Sequence, residues 1–528
     1  MNSRLPVLIV GAGPTGLMMA CELARRNIHF RIIDKNSERT QTSNATWIQP
    51  RTLEILKAIG IVDRFLILGN PCRAITLYVE GKELVKIPFS HVDATYPYIL
   101  ILAQSEIERL LIERLQEFNI TIERNVELIN LHQKDGTVVC TVKNGKAKED
   151  VINAEYVIAC DGVRSTVRDK CDIYFPGEDI QDQFMVADAK MGSYLPKDEI
   201  HIFFDTGTVF AASSLNSDIY RITANLHFSH ARKTFTEKEV KEMANERSYG
   251  AYNVHSVSWI SPFWIHGKVV EKMRVGSVFL AGDAAHIHSP AGGEGMNTGI
   301  QDAYNLAWKL ALVMENKARP ALLDSYEAER HPAVKEVVEK TDELTKMVLM
   351  DSDFNSKLLH FSSKILSNPV EASRKITSTI AQLDIHYKNS PIIDYKEDVN
   401  ANSPRYGQLA PDVKLGKYSR LYDYLENPVH NVLMFTGVNT SQDDIQKMRV
   451  LQENIAEVFG EEIKVHLIST EEVSGFLHVI SDVDSLIHER YQVKKPIVYV
   501  LRPDNYIGFC SKDLTSESIA KFLHGYLI

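Results

Sequence analysis

The sequence has few cysteines, and they form no recognisable pairing pattern. Only six of the 528 residues are cysteine, and no two stand in a C-x-x-C arrangement. This spacing fits neither a zinc site nor a dithiol redox motif. We therefore expect buried, reduced thiols in a cytoplasmic protein.

The chain also lacks long apolar runs and an excess of positive charge. The N-terminal run LPVLIV is short and is followed by glycines and a proline, so it predicts neither a signal peptide nor a membrane span. With 59 basic and 69 acidic residues, the net charge of −10 gives no field that would attract nucleic acid or an anionic membrane. We expect a globular chain of several domains with neither of these as a partner.

The first informative motif is a glycine loop between a strand and a helix. VLIV reads as a strand buried on both faces, and Gly11, Gly13 and Gly16 then form G-x-G-x-x-G before a helix. A second strand ends at Asp34, 18 residues after Gly16, about where an acid binds a ribose hydroxyl in dinucleotide folds. The pattern predicts a dinucleotide site and leaves NAD and FAD open.

Two further strands each end in an acid. YVIACDG places Asp161 after an apolar strand, and GSVFLAGD does the same for Asp283. Each acid could merely cap a helix. Three acids at strand ends in one chain instead predict a ligand crevice at the carboxyl edge of a parallel sheet.

Two histidines follow Asp283, and they raise the question of a metal. His286 and His288 stand two apart on a turn, with no H-E-x-x-H or C-x-x-C pattern nearby. A packing or turn-bonding role is favoured, contact with substrate or cofactor is the alternative, and no metal is expected.

Three ordered segments, GAGPTGL, CDGVRSTVR and GDAAHIHSPAGGEGMNTGIQDAYNLAWKLA, resemble the signatures of the FAD-dependent aromatic hydroxylases similar to para-hydroxybenzoate hydroxylase. IQPRTLEIL and LAQSEIERLL support the likeness, which covers roughly residues 5–335. The resemblance implies an α/β, Rossmann-like FAD/NAD(P)-binding fold.

The resemblance also implies site residues. Pro290 and the backbone of Gly295 would lie beside the reactive edge of the flavin, and no acid–base side chain is assigned. The residues expected to bind the cofactor are Gly11, Gly13, Pro14, Thr15, Gly16, Asp34, Lys35, Arg51, Gln104, Val126, Asp161, Asp283, Gly295, Met296 and Asn297.

Two positions depart from the family pattern. Asn44 stands where the family often has an arginine, a loss for which Arg51 could compensate, and Glu294 stands where glutamine or an apolar residue is common. An acid at Glu294 would oppose negative charge on a flavin unless it points away or is paired.

The implied activity is hydroxylation of an aromatic, phenolic, polyketide or antibiotic-type substrate with NADPH or NADH and O2, through a flavin C4a-hydroperoxide. The alternatives are another flavin reaction, by a dehydrogenase, reductase or halogenase, or a non-catalytic flavin-binding protein. A small aromatic molecule is the expected partner, and a homodimer is possible.

We predict three domains. The FAD-binding domain takes residues 1–178 and 270–400, a substrate-binding β-sheet domain takes 179–269, and 405–528 resembles the thioredoxin-like domain of phenol-hydroxylase-type relatives without C-x-x-C. The candidate pocket aromatics of the middle domain are Phe203, Phe210, Tyr220 and Trp259, for each of which core packing is the competing interpretation.

Overall fold

The computed structural model describes residues 4–40, 45–145, 148–226, 234–289, 291–350, 354–394, 403–417, 419–425, 428–438 and 440–528. The strands, in chain order, are β1 (Leu5–Val10), β2 (Phe30–Asp34), β3 (Trp47–Ile48), β4 (Asn70–Cys72), β5 (Ala74–Val79), β6 (Lys82–Pro88), β7 (Ile99–Ile101), β8 (Glu123–Arg124), β9 (Val126–Lys134), β10 (Thr137–Asn144), β11 (Lys148–Ala159), β12 (Gly177–Ser193), β13 (Glu199–Asp205), β14 (Thr208–Ser214), β15 (Ile219–Leu226), β16 (Tyr252–Val269), β17 (Arg274–Val275), β18 (Val278–Leu280), β19 (His286–Ile287), β20 (Lys414–Leu415), β21 (Ser419–Arg420), β22 (His430–Phe435), β23 (Ile463–Ser469), β24 (Val479–Ser481), β25 (Ile497–Leu501) and β26 (Ile507–Ser511). The helices are α1 (Pro14–Arg25), α2 (Pro50–Ala58), α3 (Val62–Leu68), α4 (Gln104–Glu117), α5 (Thr166–Lys170), α6 (Glu237–Arg247), α7 (Gly295–Met314), α8 (Asp324–Met350), α9 (Phe354–Ser367), α10 (Pro369–Ile380), α11 (Gln442–Phe459), α12 (Leu486–Tyr491) and α13 (Ser516–Leu523).

Two compact units make up the chain. Described residues within 1–92, 96–304 and 334–383 form the first unit, and those within 93–95, 305–333 and 384–528 form the second. Within the described part of the chain, no helix combines the length and the apolar character needed to cross a membrane.

The nucleotide sheet, as we name the first sheet, carries the glycine loop. Its strand path is β17-β18-β11-β1-β2-β8, and β10 and β9 extend it from β11. β1 pairs in parallel with both β2 and β11, and β11 pairs in parallel with β18. Almost every side chain of β1 is buried, as its unbroken apolar run requires. The α/β fold predicted from the sequence is confirmed.

The pocket sheet, as we name the second sheet, is mainly antiparallel and runs β19-β16-β12-β15-β14-β13-β5-β6. One of its faces packs with α6 into a core that includes Met185, Phe210 and Tyr252. The predicted range 179–269 contains β13 to β16 and all but the first two residues of β12, whereas β5 and β6 come from earlier in the chain. The domain boundaries stay a prediction.

The second unit contains a five-stranded sheet in the order β24-β23-β22-β25-β26. β22 pairs in parallel with β23 and antiparallel with β25, and β25 forms a hairpin with β26. The apolar segments HNVLMF, IKVHLIS, IVYVL and IGFCS form β22, β23, β25 and β26. The thioredoxin-like assignment itself stays a prediction.

A fully buried ion cluster stabilises the second unit. The carboxylate of Glu329 accepts hydrogen bonds from both terminal nitrogens of Arg502, at 2.6 and 2.9 Å, and from Nζ of Lys309 at 2.7 Å. Arg502 also pairs with Asp504, to which Trp308 donates through Nε1. Two cations thus meet two anions, and the neighbouring positive charges hold the pKa of Glu329 well below its ordinary value.

We expect Glu329→Gln to destabilise the second unit by about 3–5 kcal/mol, because it leaves two buried cations facing one anion. The free energy of unfolding can be followed by the fluorescence of Trp308 inside the cluster. Since the folded pKa of Glu329 is depressed, its contribution is present above its ordinary pKa of 4.5 and declines as the pH falls below that value. The difference in the free energy of unfolding between the wild type and Glu329→Gln should therefore become smaller as the pH falls below 4.5.

Glu461→Gln is the matched control, because Glu461 pairs with Lys464 on the surface of the same unit and its side chain is 89% exposed. Its loss should leave the free energy of unfolding almost unchanged, because solvent screens an exposed ion pair. Equal effects of the two substitutions would contradict a specific role for the cluster.

Candidate active site

The first compact unit contains a cavity of about 800 Å³ with two chemically different walls. The loop wall consists of loops and helix ends at the carboxyl edge of the nucleotide sheet, and includes Gly13, Asp283 and Gly295. The apolar wall is one face of the pocket sheet together with Leu344, Val348 and Leu349 of α8. A ligand in this cavity therefore contacts backbone and polar groups on one side and hydrocarbon on the other.

The glycine loop is shaped by close backbone contacts. Gly11 has a φ of +101°, and a side chain on it would collide with the backbone of Cys160 after β11. A side chain on Gly16 would collide with the carbonyl oxygen of Gly11, so both positions require glycine. At Gly13, in contrast, a Cβ would meet no atom of the described residues within 4 Å. The loop is therefore tightly packed on the side of Cys160 and open on the side of the cavity. On the open side, Gly13, Pro14 and Thr15 line the cavity at the N-terminus of α1.

Asp34, at the end of β2, is held beside this loop. Its Oδ2 accepts a hydrogen bond from the backbone N–H of Ala12 at 2.8 Å, and its Oδ1 accepts one from Asn36 at 2.8 Å. Arg124 lies 3.6 Å from the same carboxylate. The adjoining Lys35 is exposed. Asp34 thus holds the glycine loop through the backbone of Ala12. Its contact with a ribose stays a prediction.

Asp302 joins helix α7 to the turn that carries Asp283. Its Oδ2 accepts a hydrogen bond from the N–H of Gly282 at 3.0 Å and lies 2.7 Å from Nε2 of His286. The side chains of Asp302 and His286 are completely buried. His286 is therefore a structural partner of α7, and Asp283 is presented to the cavity between the two anchored residues.

The start of α7 is anchored by Asn297. Its Oδ1 accepts a hydrogen bond from the N–H of Gln49, and its Nδ2 donates to the carbonyl oxygens of Trp47 and Gly293. These bonds hold the glycine-rich approach to the helix against the segment from β3 to α2. Gly295 and Met296 then face the cavity with the positive end of the helix dipole.

Two of the predicted acids have raised pKa values. Protein surrounds Asp283, so burial raises the pKa of its carboxyl, while the side chain remains accessible from the cavity. Burial likewise raises the pKa of Asp161, although the N–H of Val167 donates to it at 3.2 Å. In the described part of the chain, Oδ1 of Asp161 has no hydrogen-bond partner.

The remaining predicted cofactor residues occupy different surroundings. Gln104 begins α4, lines the cavity, and accepts a hydrogen bond from the N–H of Ala45. Arg51 is buried in α2, where it pairs with Glu54, and Val126 is buried at the start of β9. The cavity lining includes neither Arg51 nor Val126. The cofactor contacts of all three stay predictions.

Asn44 and Pro290 lie outside the described residues. Glu294, the second departure from the family pattern, lines the cavity, and its carboxylate folds back over Gly292.

Among the described residues, no three His, Cys, Asp or Glu side chains come together as metal ligands would.

The candidate pocket aromatics lie outside the cavity lining. Phe203, Phe210 and Tyr220 pack into the core on the α6 side of the pocket sheet. Trp259 stacks against the guanidinium of Arg221, 5.3 Å from the ring centroid. Since alternate residues of a strand face opposite sides, the strand neighbours of Phe203, Phe210 and Tyr220 line the cavity instead, namely Ile202, Phe204, Val209, Ala211, Arg221 and Thr223.

Sequence reasoning did not single out Arg221, and it left His288 between a turn-bonding role and contact with substrate or cofactor. Both line the cavity, and alternation along β15 was the signal that could have identified Arg221. No comparable signal existed for His288, because its orientation depends on the turn that Asp302 and Ser289 hold.

Comparison with known proteins agrees with this geometry. Residues 4–341 match the family model described as FAD binding domain. The chain is 30% identical over 535 residues to pentachlorophenol 4-monooxygenase of Sphingobium chlorophenolicum, covering 98% of this chain and 96% of the relative. The chain belongs to the FAD-dependent aromatic monooxygenases.

Other members of the family share nearly the full length of the enzyme. An uncharacterized aromatic compound monooxygenase of Bacillus subtilis is 31% identical over 89% of this chain and 93% of its own. The solved anhydrotetracycline hydroxylase of Streptomyces rimosus is 28% identical, with a TM-score of 0.76 and 99% of both chains covered. The predicted family, FAD cofactor and monooxygenase class are confirmed.

The loop wall fits FAD on its own geometry. The open space at Gly13 beside the N-terminus of α1 suits a pyrophosphate, and Asp283 offers an acceptor to hydroxyl groups. The positive end of α7 suits the electron-rich edge of a flavin ring.

We expect Gly13→Ala to weaken FAD binding at least about tenfold, or about 1.4 kcal/mol, because the added methyl group enters the open space in front of the loop. The backbone of Gly13 has a φ of −81°, which alanine adopts readily, so the apoprotein should keep its stability. Flavin fluorescence titration and thermal unfolding measure the two quantities.

Gly192→Ala is the control, since the nearest neighbour of a Cβ there is His255 at 3.4 Å, an ordinary contact. An unchanged FAD affinity in Gly13→Ala would argue that this glycine does not face the cofactor.

Proposed function

We propose that this monooxygenase hydroxylates a phenol, monocyclic or fused, that carries no carboxylate or other permanent anionic group. The observation that carries the proposal is the composition of the apolar wall, in which the one buried arginine is already neutralised. The compounds named for two of its relatives, pentachlorophenol and anhydrotetracycline, are both phenols, which agrees with a phenolic substrate.

The apolar wall suits a flat aromatic ring. Phe204, Val209, Val348 and Leu349 supply aliphatic and aromatic contacts, and Ala211 leaves room between them. Burying a ring against such side chains is favourable by about 25 cal/mol for each Å² removed from water. The same wall excludes water from the reacting region.

Arg221 has its charge balanced before any substrate arrives. Its Nε donates to Oδ1 of Asp188 at 2.6 Å, and its Nη2 donates to Oδ2 at 3.1 Å. A carboxylate on a substrate would have to compete with Asp188 for this fork, and it would lose its hydration in doing so. The wall therefore favours substrates without such a group.

When bound, FAD takes electrons from NADPH or NADH and activates O2 for transfer of one oxygen atom. The residues of the chain bind the cofactor and the substrate and orient them toward each other. The N-termini of α1 and α7 stabilise negative charge, Asp283 accepts hydrogen bonds from hydroxyl groups, and the apolar wall holds the substrate ring. The choice between NADPH and NADH, a cytoplasmic location and a homodimer stay predictions.

We expect simple phenols to stimulate NAD(P)H oxidation and to leave as products carrying one oxygen atom from labelled O2, measured by mass spectrometry. Product without incorporated oxygen would indicate a dehydrogenase or reductase. Flavin that no nicotinamide reduces would indicate a binding protein.

We also expect kcat/KM for 4-methylphenol to exceed that for 4-hydroxybenzoate at least about tenfold, because the arginine among the described lining residues, Arg221, is already paired with Asp188. Asp188→Asn leaves Arg221 without its counter-charge and should narrow this ratio by about tenfold. Asp218→Asn is the control, because Asp218 pairs with Lys190 outside the cavity lining and both side chains are exposed. A ratio that stays unchanged in Asp188→Asn would refute the charge argument.

A further inference from the structure

His288 lies where the two walls of the cavity meet. Its Nε2 is 3.5 Å from the position of a Cβ on Gly295, at the start of α7. The next residue, Ser289, accepts a hydrogen bond through its Oγ from Thr345 of α8 at 2.6 Å. His288 is therefore held between the helix that begins at the loop wall and the helix that contributes to the apolar wall.

A hydrogen bond fixes which nitrogen of the His288 ring carries the proton. Nδ1 lies 2.8 Å from the carbonyl oxygen of Ser289. A carbonyl oxygen only accepts, so Nδ1 is the N–H donor and Nε2 of the neutral ring keeps its lone pair. Among the described residues, Nε2 is buried and has no hydrogen-bond partner.

The surroundings keep this ring neutral. Burial lowers the pKa of His288 to about 4, and nearby His286 acts in the same direction. The positive end of α7 beside the ring also disfavours a second proton. At neutral pH this ring, which belongs to the cavity lining, therefore has an acceptor nitrogen that no described residue satisfies.

We propose that Nε2 of His288 accepts a hydrogen bond from the hydroxyl group of the phenolic substrate. The inference rests on the proposed function, since it names the group that recognises the hydroxyl while the apolar wall holds the ring. A phenol satisfies the buried acceptor, whereas the corresponding methyl ether leaves it unpaired. His288 thereby selects phenols over ethers, and the hydrogen bond raises electron density in the ring that receives oxygen.

The test compares 4-chlorophenol with 4-chloroanisole, which share a ring and a halogen and differ in the hydroxyl hydrogen. Dissociation constants come from the change in flavin absorbance on titrating the holoenzyme, so turnover is not needed. We expect the wild type to prefer the phenol at least about tenfold. His288→Leu should weaken phenol binding by about tenfold and bring the two ligands within about threefold.

His288→Gln and His132→Leu complete the design. The side-chain carbonyl of glutamine can accept the hydrogen bond, so this variant should keep a preference of at least about fivefold. His132 is exposed on β9, and its replacement should leave the preference unchanged.

Two results would overturn the inference. One is an unchanged preference for the phenol in His288→Leu. The other is an equal loss of affinity for both ligands together with weaker FAD binding, which would assign the ring to the cofactor. A wild type that binds neither ligand would instead refute the proposed substrate class itself.

Discussion

The carboxylate of Asp302 is the contact on which the arrangement of the site depends. It binds the backbone of Gly282 and the ring of His286 from within helix α7, with no exposure to water. Because α7 and the turn are joined in this way, Asp283, the start of α7 and His288 reach the same cavity. A buried, hydrogen-bonded carboxylate is costly to move, so these three features are positioned before any ligand arrives.

Much of the nucleotide half could be predicted from the sequence because its constraints are local. Gly11 and Gly16 must be glycine for reasons of backbone contact, and a strand, loop and helix in succession determine where the loop opens. Asp34 and Asp283 follow strands whose apolar runs are plain in the sequence. The same logic could not assign β5 and β6 to the pocket sheet, because strand pairing across more than a hundred residues leaves no local pattern.

The candidate pocket aromatics lie outside the cavity lining, and for those in the α6-side core the reason is strand register. Phe203 and Phe210 are large and aromatic, which made them attractive as pocket residues, but the face that a strand residue occupies depends on its neighbours. Their positions lie in the α6-side core, while Phe204 and Val209 line the cavity. The placement of His288 was harder still, because it depends on a hydrogen bond to the carbonyl oxygen of Ser289, whose hydroxyl contacts Thr345 of α8.

The two-faced character of the pocket sheet bears on how such an enzyme could diversify. The side chains that hold the sheet to α6 and those that face the cavity alternate along the same strands, so they can change independently. An exchange at Ala211, which lines the cavity outside the hydrophobic clusters of the sheet, would reshape the space for substrate while the packing against α6 is preserved. A scaffold with this separation can acquire new substrates in small steps, each tolerated by the fold.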